Sequence, residues 1–225
     1  MVDDPYHALG LRRNPFYAPQ SLLIDDQHWI DVGYSWAPPP GEGLFVQILG
    51  AKGAGKTSHL LRWQAQTGGP YFYQAAWCWQ TLPPCVPEGN SLIVYWDEAN
   101  RIPWPTLIWA LSQAQKHGLS VAVASHSNLA PWARALGFRV QTVILKPLNL
   151  QRLQLWIEKK LTSEYLATPL VPRLNFSREL LEDILQQSQG SWRTAATILH
   201  RWTAQQAQLE QRSRALDRRQ GLQLI

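Results

Sequence analysis

The chain has 225 residues, of which 45% are apolar and 16% charged, and it carries a net charge of +5. This composition excludes a disordered protein, and the length accommodates one α/β domain with a small helical attachment. No apolar run reaches the ~18 residues a membrane span requires, and the Met-Val-Asp-Asp-Pro start lacks the basic and apolar regions of a secretory signal, so a soluble, cytoplasmic protein with no membrane partner is expected.

Residues 1–40 read as an irregular N-terminal arm, because Pro5, Pro15, Pro19 and Pro38 to Pro40 interrupt any long element. The apolar run Leu44 to Leu49 predicts a buried strand, and Lys56 to Gln66 a helix that stops at Gly68 and Gly69. Further strands are expected over Tyr71–Ala75, Ser91–Trp96, Leu119–Ser125 and Val140–Leu145, with a helix over Pro105–His117 between the third and fourth. Strands that are apolar throughout and alternate with helices indicate a mainly parallel sheet covered on both faces, here over residues 41–147. The connection over 76–90 holds Pro83, Pro84, Pro87 and Gly89, which leaves little room for a crossover helix.

After Pro147 the pattern becomes helical. Leu150, Leu153 and Ile157, then Leu180, Leu181, Ile184 and Leu185, then Ala195, Ile198, Leu199 and Trp202 mark helices over 149–161, 177–187 and 191–209. Ser177 and Ser191 are suitable N-caps, and Gly190 separates the last two helices. A small all-helical unit over 148–209 and a basic tail over 210–225 follow from this reading. From Arg201 to the C-terminus five arginines face only Glu210 and Asp217, which makes the tail a candidate contact for nucleic acid or an acidic surface. Among twelve tryptophans, Trp77 and Trp79 stand apart because they lie between Pro/Gly-rich segments, where they could stack on bases, anchor a partner or fold back over the sheet. Cys78 and Cys85 have no further ligands nearby and read as ordinary thiols.

The chemistry lies at two strand ends. Gly50-Ala51-Lys52-Gly53-Ala54-Gly55-Lys56-Thr57 is a complete phosphate-loop pattern between a strand and a helix. Its backbone N–H groups, with Ser58 at the helix start, suit phosphate oxygens; Lys56 would reach the β- and γ-phosphates and Thr57 would ligate Mg²⁺. ATP with Mg²⁺ is the expected ligand, GTP the alternative. Asp97 and Glu98 end the third strand, where the first would hold the metal and the second would polarise the attacking water. Ser125, His126 and Ser127 at the tip of the next strand could sense the γ-phosphate or orient water; a locally satisfied strand end is the equal alternative.

These pieces together resemble the AAA+ ATPases, and more narrowly the bacterial branch of transposition regulators and secretion-assembly ATPases. Gly10-Leu11-Arg12-Arg13-Asn14-Pro15-Phe16 is similar to the opening of that branch, and Gly190-Ser191-Trp192-Arg193 to its lid signature. The resemblance implies sheet order 5-1-4-3-2, a nucleotide-sensing Arg193, a trans-acting arginine finger at Arg134 or Arg139, and a homo-oligomer with ATP at the subunit interface. Three functions follow: an ATPase switch that assembles on or remodels a protein or DNA partner, a nucleotide-binding scaffold with slow or absent hydrolysis, or a P-loop kinase for a small molecule. Intact Lys56, Thr57, Asp97 and Glu98 favour the first.

Overall fold

Uninterrupted apolar runs build the centre of the chain. The structure, a computed structural model, describes residues 4–16, 29–30, 37–76, 82–166 and 174–221, with side chains as far as Ala215. Trp77, Cys78 and Trp79 lie outside the described residues. The described chain forms two compact units, one of residues 37–147 and the other of residues 4–16, 29–30 and those from Leu148 onward.

The first unit runs β1 (Leu44–Leu49), α1 (Lys56–Thr67), β2 (Tyr71–Tyr73), β3 (Ile93–Asp97), α2 (Trp104–Lys116), β4 (Ser120–Ser125), α3 (Ala130–Ala135) and β5 (Arg139–Ile144). The strands form one parallel sheet in the order β2-β3-β4-β1-β5. This is the 5-1-4-3-2 order that the AAA+ resemblance implies: the fold is AAA+-like α/β. β3 and β4 are buried at every position, as central parallel strands covered on both faces must be.

Alternation along the strands sorts their side chains into two cores. Val94, Trp96, Val121, Val123 and Phe45 pack with Leu107, Ala110, Leu111 and Ala114 of α2 and with Ala133 of α3. Ile93, Tyr95, Ala122, Ala124, Val46 and Ile48 face the other way, onto Leu60 and Trp63 of α1. One helix therefore covers one face and two cover the other.

One departure from the sequence reading is α3, and the short β2–β3 connection is as the sequence reading expects. The six-residue α3 is too short to show a helical period, and its start is set by a buried polar side chain. Gln47 of β1 accepts from Leu129 N (2.9 Å) and donates to Asn128 Oδ1 (2.7 Å), whose oxygen also accepts from Ala130 N (3.0 Å). Arg134 thus lies on a helix, and Arg139 is the first residue of β5. In the β2–β3 connection no helix occurs among the described residues; Trp96 Nε1 instead donates to Pro84 O at 3.0 Å, tying the loop to the strand that follows.

The second unit holds α4 (Leu150–Glu164), α5 (Arg178–Ser188) and α6 (Trp192–Gly221). Asn149, Ser177 and Ser191 each accept a backbone N–H of the following first turn. α6 continues past Leu209 through the basic segment to Gly221, where Arg214 pairs with Glu210 one turn back and donates to Ala8 O at 2.8 Å. The opening segment packs in this unit. Pro5–Leu9 is a 3-10 turn, Leu11 bridges Tyr165, and Leu9, Leu11 and Phe16 join Leu153, Ile157, Leu181, Ile184 and Leu199 in one core. Asn14 Nδ2 donates to His200 O (2.9 Å) and Tyr6 OH (3.2 Å), so the Gly10–Phe16 motif is bound by both its apolar and its polar residues.

Leu11 has no exposed surface. Leu11→Ala should therefore cost about 2–5 kcal/mol, as for a helix-core leucine such as Leu153. Urea unfolding followed by circular dichroism measures this; a loss under about 0.5 kcal/mol would mean that the opening segment is not part of the core.

Candidate functional site

The loop after β1 owes its shape to its glycines. Gly53 and Gly55 have φ of 79° and 96°, a region that side chains with a Cβ rarely adopt. A Cβ on Gly50 would stand 3.3 Å from Leu145 O, a tight contact that would push the neighbouring atoms aside by a few tenths of an ångström. No side chain caps α1, whose first turn begins directly after Gly55. Its leading N–H groups point into the loop, where geometry and helix dipole both suit an anion. His59, one turn along α1, places Nδ1 2.9 Å from Gly55 O; a carbonyl can only accept, so this nitrogen carries the proton.

Lys56 is buried, and its ammonium donates to Gly50 O (2.8 Å) and Ala51 O (3.0 Å). Both carbonyls belong to the loop itself, so the cation is held at the loop's centre. Lys52, Ala54 and Ser58 complete the segment, with Lys52 exposed and Ala54 buried.

The second strand end meets this loop. Thr57 Oγ1 donates to Asp97 Oδ2 at 2.8 Å across a separation of forty residues. Asp97 is 1% exposed, and its carboxylate has two further donors: Tyr71 OH to Oδ2 at 2.9 Å and Glu98 N to Oδ1 at 2.9 Å. Three donors compensate a buried carboxylate that would otherwise be costly. Burial, and then the charge of Asp97, push the Tyr71 hydroxyl well above its ordinary range, so it remains a donor. Burial likewise pushes Tyr95 up to about 12; its hydroxyl pairs with Thr67 at the end of α1.

Glu98 follows with φ 54°, a left-handed conformation that costs a residue with a Cβ about 1–2 kcal/mol. Its Oε2 lies 3.3 Å from Arg101 Nε, an ion pair without hydrogen-bond geometry, and its Oε1 lies 3.7 Å from His126 Nε2. His126 also places both ring nitrogens 3.4 Å from Lys56 Nζ. Asn100 supports this strand tip by accepting from His126 N at 3.0 Å. Ser125 is buried and donates to Ser127 O at 2.7 Å. The expected residues Gly50 to Thr57, Asp97, Glu98, Ser125 and His126 therefore meet at one end of the sheet.

Three further candidates stand on other elements. Arg134 is exposed on α3, while Arg139 pairs with Glu42 at 2.6 Å. Arg193 is exposed in the first turn of α6, in the helical unit. Tyr71, Asn100 and Arg101 were not legible as site residues. Asn100 and Arg101 do stand directly after the acidic pair, but nothing in Tyr71 itself distinguishes it from a sheet-edge tyrosine.

The residues fit a nucleotide with Mg²⁺: the loop is a cradle that side chains would fill, and Thr57 and Asp97 offer hard oxygen ligands side by side. No protein-family model matches the chain, and no curated protein is similar to it. Among solved structures, it is similar to two RuvB variants from Thermotoga maritima, with TM-scores of 0.48 and 0.47 at 15% and 17% identity, each over 69% of this chain and 52% of the other. It is also similar to Cdc6p from Pyrobaculum aerophilum, with TM-score 0.47 and 13% identity over 75% of this chain and 56% of the other. The chain spans about half the length of these proteins, and the likeness is one of architecture. No helix among the described residues is long and apolar enough to cross a membrane.

Tyr71→Phe removes one donor from the buried carboxylate and should cost about 1.5–3 kcal/mol in urea unfolding. Tyr73→Phe, at an exposed neighbour on the same strand, should cost under about 0.5 kcal/mol. Equal losses would remove Tyr71 from the site.

Proposed function

We propose that this chain binds ATP with Mg²⁺ and hydrolyses it, and that the cycle acts as a switch governing assembly on, or remodelling of, a protein or DNA partner. The observation that carries the reading is the contact between Thr57 and Asp97: a complete phosphate loop and an acidic strand end meet through the two side chains that would share a metal. Magnesium, when bound, would be held by Thr57 and Asp97 and would neutralise phosphate charge.

The chain's own groups supply the rest. The N–H groups of the loop and of the first turn of α1 would bind phosphate oxygens, with Lys56 donating from the loop's centre. Glu98 would take the proton of the attacking water on its carboxylate, and His126, between Glu98 and Lys56, is placed to register a terminal phosphate. For assembly with ATP between subunits, Arg134 suits a trans-acting role better than Arg139, because Arg139 is already paired with Glu42. We assign Arg193 to nucleotide sensing by the helical unit, as the lid-like motif suggests.

One observation favours the scaffold reading, with slow turnover. The Glu98 Oε2 already faces Arg101 Nε at 3.3 Å, so one oxygen of the carboxylate is engaged by a cation.

Lys56→Ala should weaken ATP binding about tenfold or more in calorimetric titration, since a charge-assisted bond contributes on the order of 1.5–3 kcal/mol. Equal affinity for wild type and variant would overturn the phosphate-loop assignment. Glu98→Gln should leave ATP affinity intact and lower turnover by at least a hundredfold in a phosphate-release assay. Wild-type turnover in that variant would place the base elsewhere; turnover too slow to measure in the wild type, but present in Arg101→Ala, would support the scaffold reading with Arg101 as its cause.

A further inference from the structure

The face of the sheet covered by α2 and α3 has a composition that nucleotide binding does not use. Three tryptophans in the described residues are strongly exposed: Trp104 (69%), Trp109 (45%) and Trp132 (50%). All three lie on these two helices, whose inner sides pack in the same core against the same strands. On α2 the outward stripe is Pro105, Trp109, Ser112 and Lys116, spaced four, three and four residues apart and opposite the buried Leu107, Leu111 and Ala114. On α3 Trp132 and Arg134 are exposed while Ala130 and Ala133 are buried.

The sequence segment that carries these helices holds charges of one sign. Between Glu98 and Glu158 the sequence has no Asp or Glu, yet it carries Arg101, Lys116, Arg134, Arg139 and Lys146 before the helical unit begins. Neither Lys116 nor Arg134 makes an ion pair among the described residues. Scattered single apolar side chains are ordinary on a surface; here Trp109 and Trp132 are exposed on two helices over one core, with Trp104 at the first residue of α2. Arg101 and Arg139 are paired with Glu98 and Glu42, which leaves Lys116 and Arg134 as the cations beside the indoles, a combination that complements a polyanion with flat apolar rings.

We infer that the α2–α3 face binds single-stranded nucleic acid, with Trp104, Trp109 and Trp132 stacking on unpaired bases and Lys116 among the cations that track the phosphates. Stacking of this kind is tolerant of sequence, because every base has a π-face, and it favours single strands, whose bases are free to turn onto the indoles. Helices lying flat on a sheet present their sides, which suits a strand laid across them better than a duplex groove that must be entered. The test is made without ATP, so that its outcome does not depend on the nucleotide-binding reading.

The test is fluorescence anisotropy of a dye-labelled oligothymidylate at about 50 mM salt and upward, alongside a duplex of equal length. Wild type should bind the single strand more tightly than the duplex. Trp109→Ala and Trp132→Ala should each weaken the single-strand complex about fivefold or more. Lys116→Ala should lower the slope of log affinity against log salt by about 0.7, while Arg201→Ala, which removes one charge from α6, should weaken binding less than either tryptophan change. Circular dichroism of each variant should remain that of wild type, because the side chains removed are exposed. Absent binding at low salt would overturn the inference, as would tryptophan variants that bind as wild type does. Loss of self-association in light scattering without nucleic acid, together with unchanged oligonucleotide binding, would assign the face to a second copy of the chain instead.

Discussion

Asp97 holds the α/β unit's working end together. It ends the most deeply buried region of the sheet and is itself buried, so its charge is tolerable only with donors around it. Those donors come from three parts of the unit: Tyr71 on the edge strand β2, Thr57 on α1, and the peptide that turns into Glu98. Sheet order puts β4 between β1 and β3, so the loop after β1 cannot reach the carboxylate along the sheet. α1 makes the connection by returning over the face that Ile93, Tyr95 and Ala122 line, which sets Thr57 above the end of β3. One carboxylate thus fixes the first turn of a helix, and the helix fixes the loop that precedes it.

How much of this was legible in the sequence depends on how far each signal reaches. Fully apolar strands betray themselves within six residues, and the sheet was readable because parallel central strands permit little polarity. The phosphate loop was readable because its glycines serve backbone geometry, which is a local matter. The short α3 was not, because its start depends on Gln47, a buried amide about eighty residues away in the chain. The same holds for Tyr71, whose role comes from lying diagonally beside Asp97 across two paired strands, with Tyr73 opposite the aspartate. The length of α6 was missed for a different reason: a charge-rich stretch with few apolar residues looks like a solvated tail, yet Gln, Arg, Leu and Ala are good helix formers, and Arg214 is tied to Ala8. The opening motif was legible as a motif; that its apolar residues join the helical core could be seen only in three dimensions.

The backbone at Glu98 explains how two adjacent carboxylates can serve different ends of one site. In a regular strand Asp97 and Glu98 would point to opposite faces, and in a helix they would diverge by about 100°. Here the left-handed turn at Glu98 breaks the strand at once and sends its side chain to Arg101 and His126, while Asp97 stays buried against Thr57 and Tyr71. The two negative charges are each given separate partners, so neither has to be neutralised by the other's cation. A glycine would make the turn without strain but would carry no carboxylate. The glutamate at this turn carries its carboxylate at a backbone cost of about 1–2 kcal/mol.

His126 completes that arrangement by standing between opposite charges. Its ring lies 3.4 Å from the Lys56 ammonium and 3.7 Å from the Glu98 carboxylate, so any gain or loss of charge at one of these groups is felt at the other through it. An anion arriving at Lys56 would offset the ammonium that faces the ring. Asn100 holds the ring's backbone in place, so the response falls on side chains and leaves the strand tip where it is. The line Lys56–His126–Glu98 is therefore a direct electrostatic path from the phosphate loop to the acidic strand end, and it runs beside the structural path through Thr57 and Asp97. Two contacts thus join the phosphate loop to the acidic strand end: the hydrogen bond from Thr57 to Asp97, and His126 between Lys56 and Glu98.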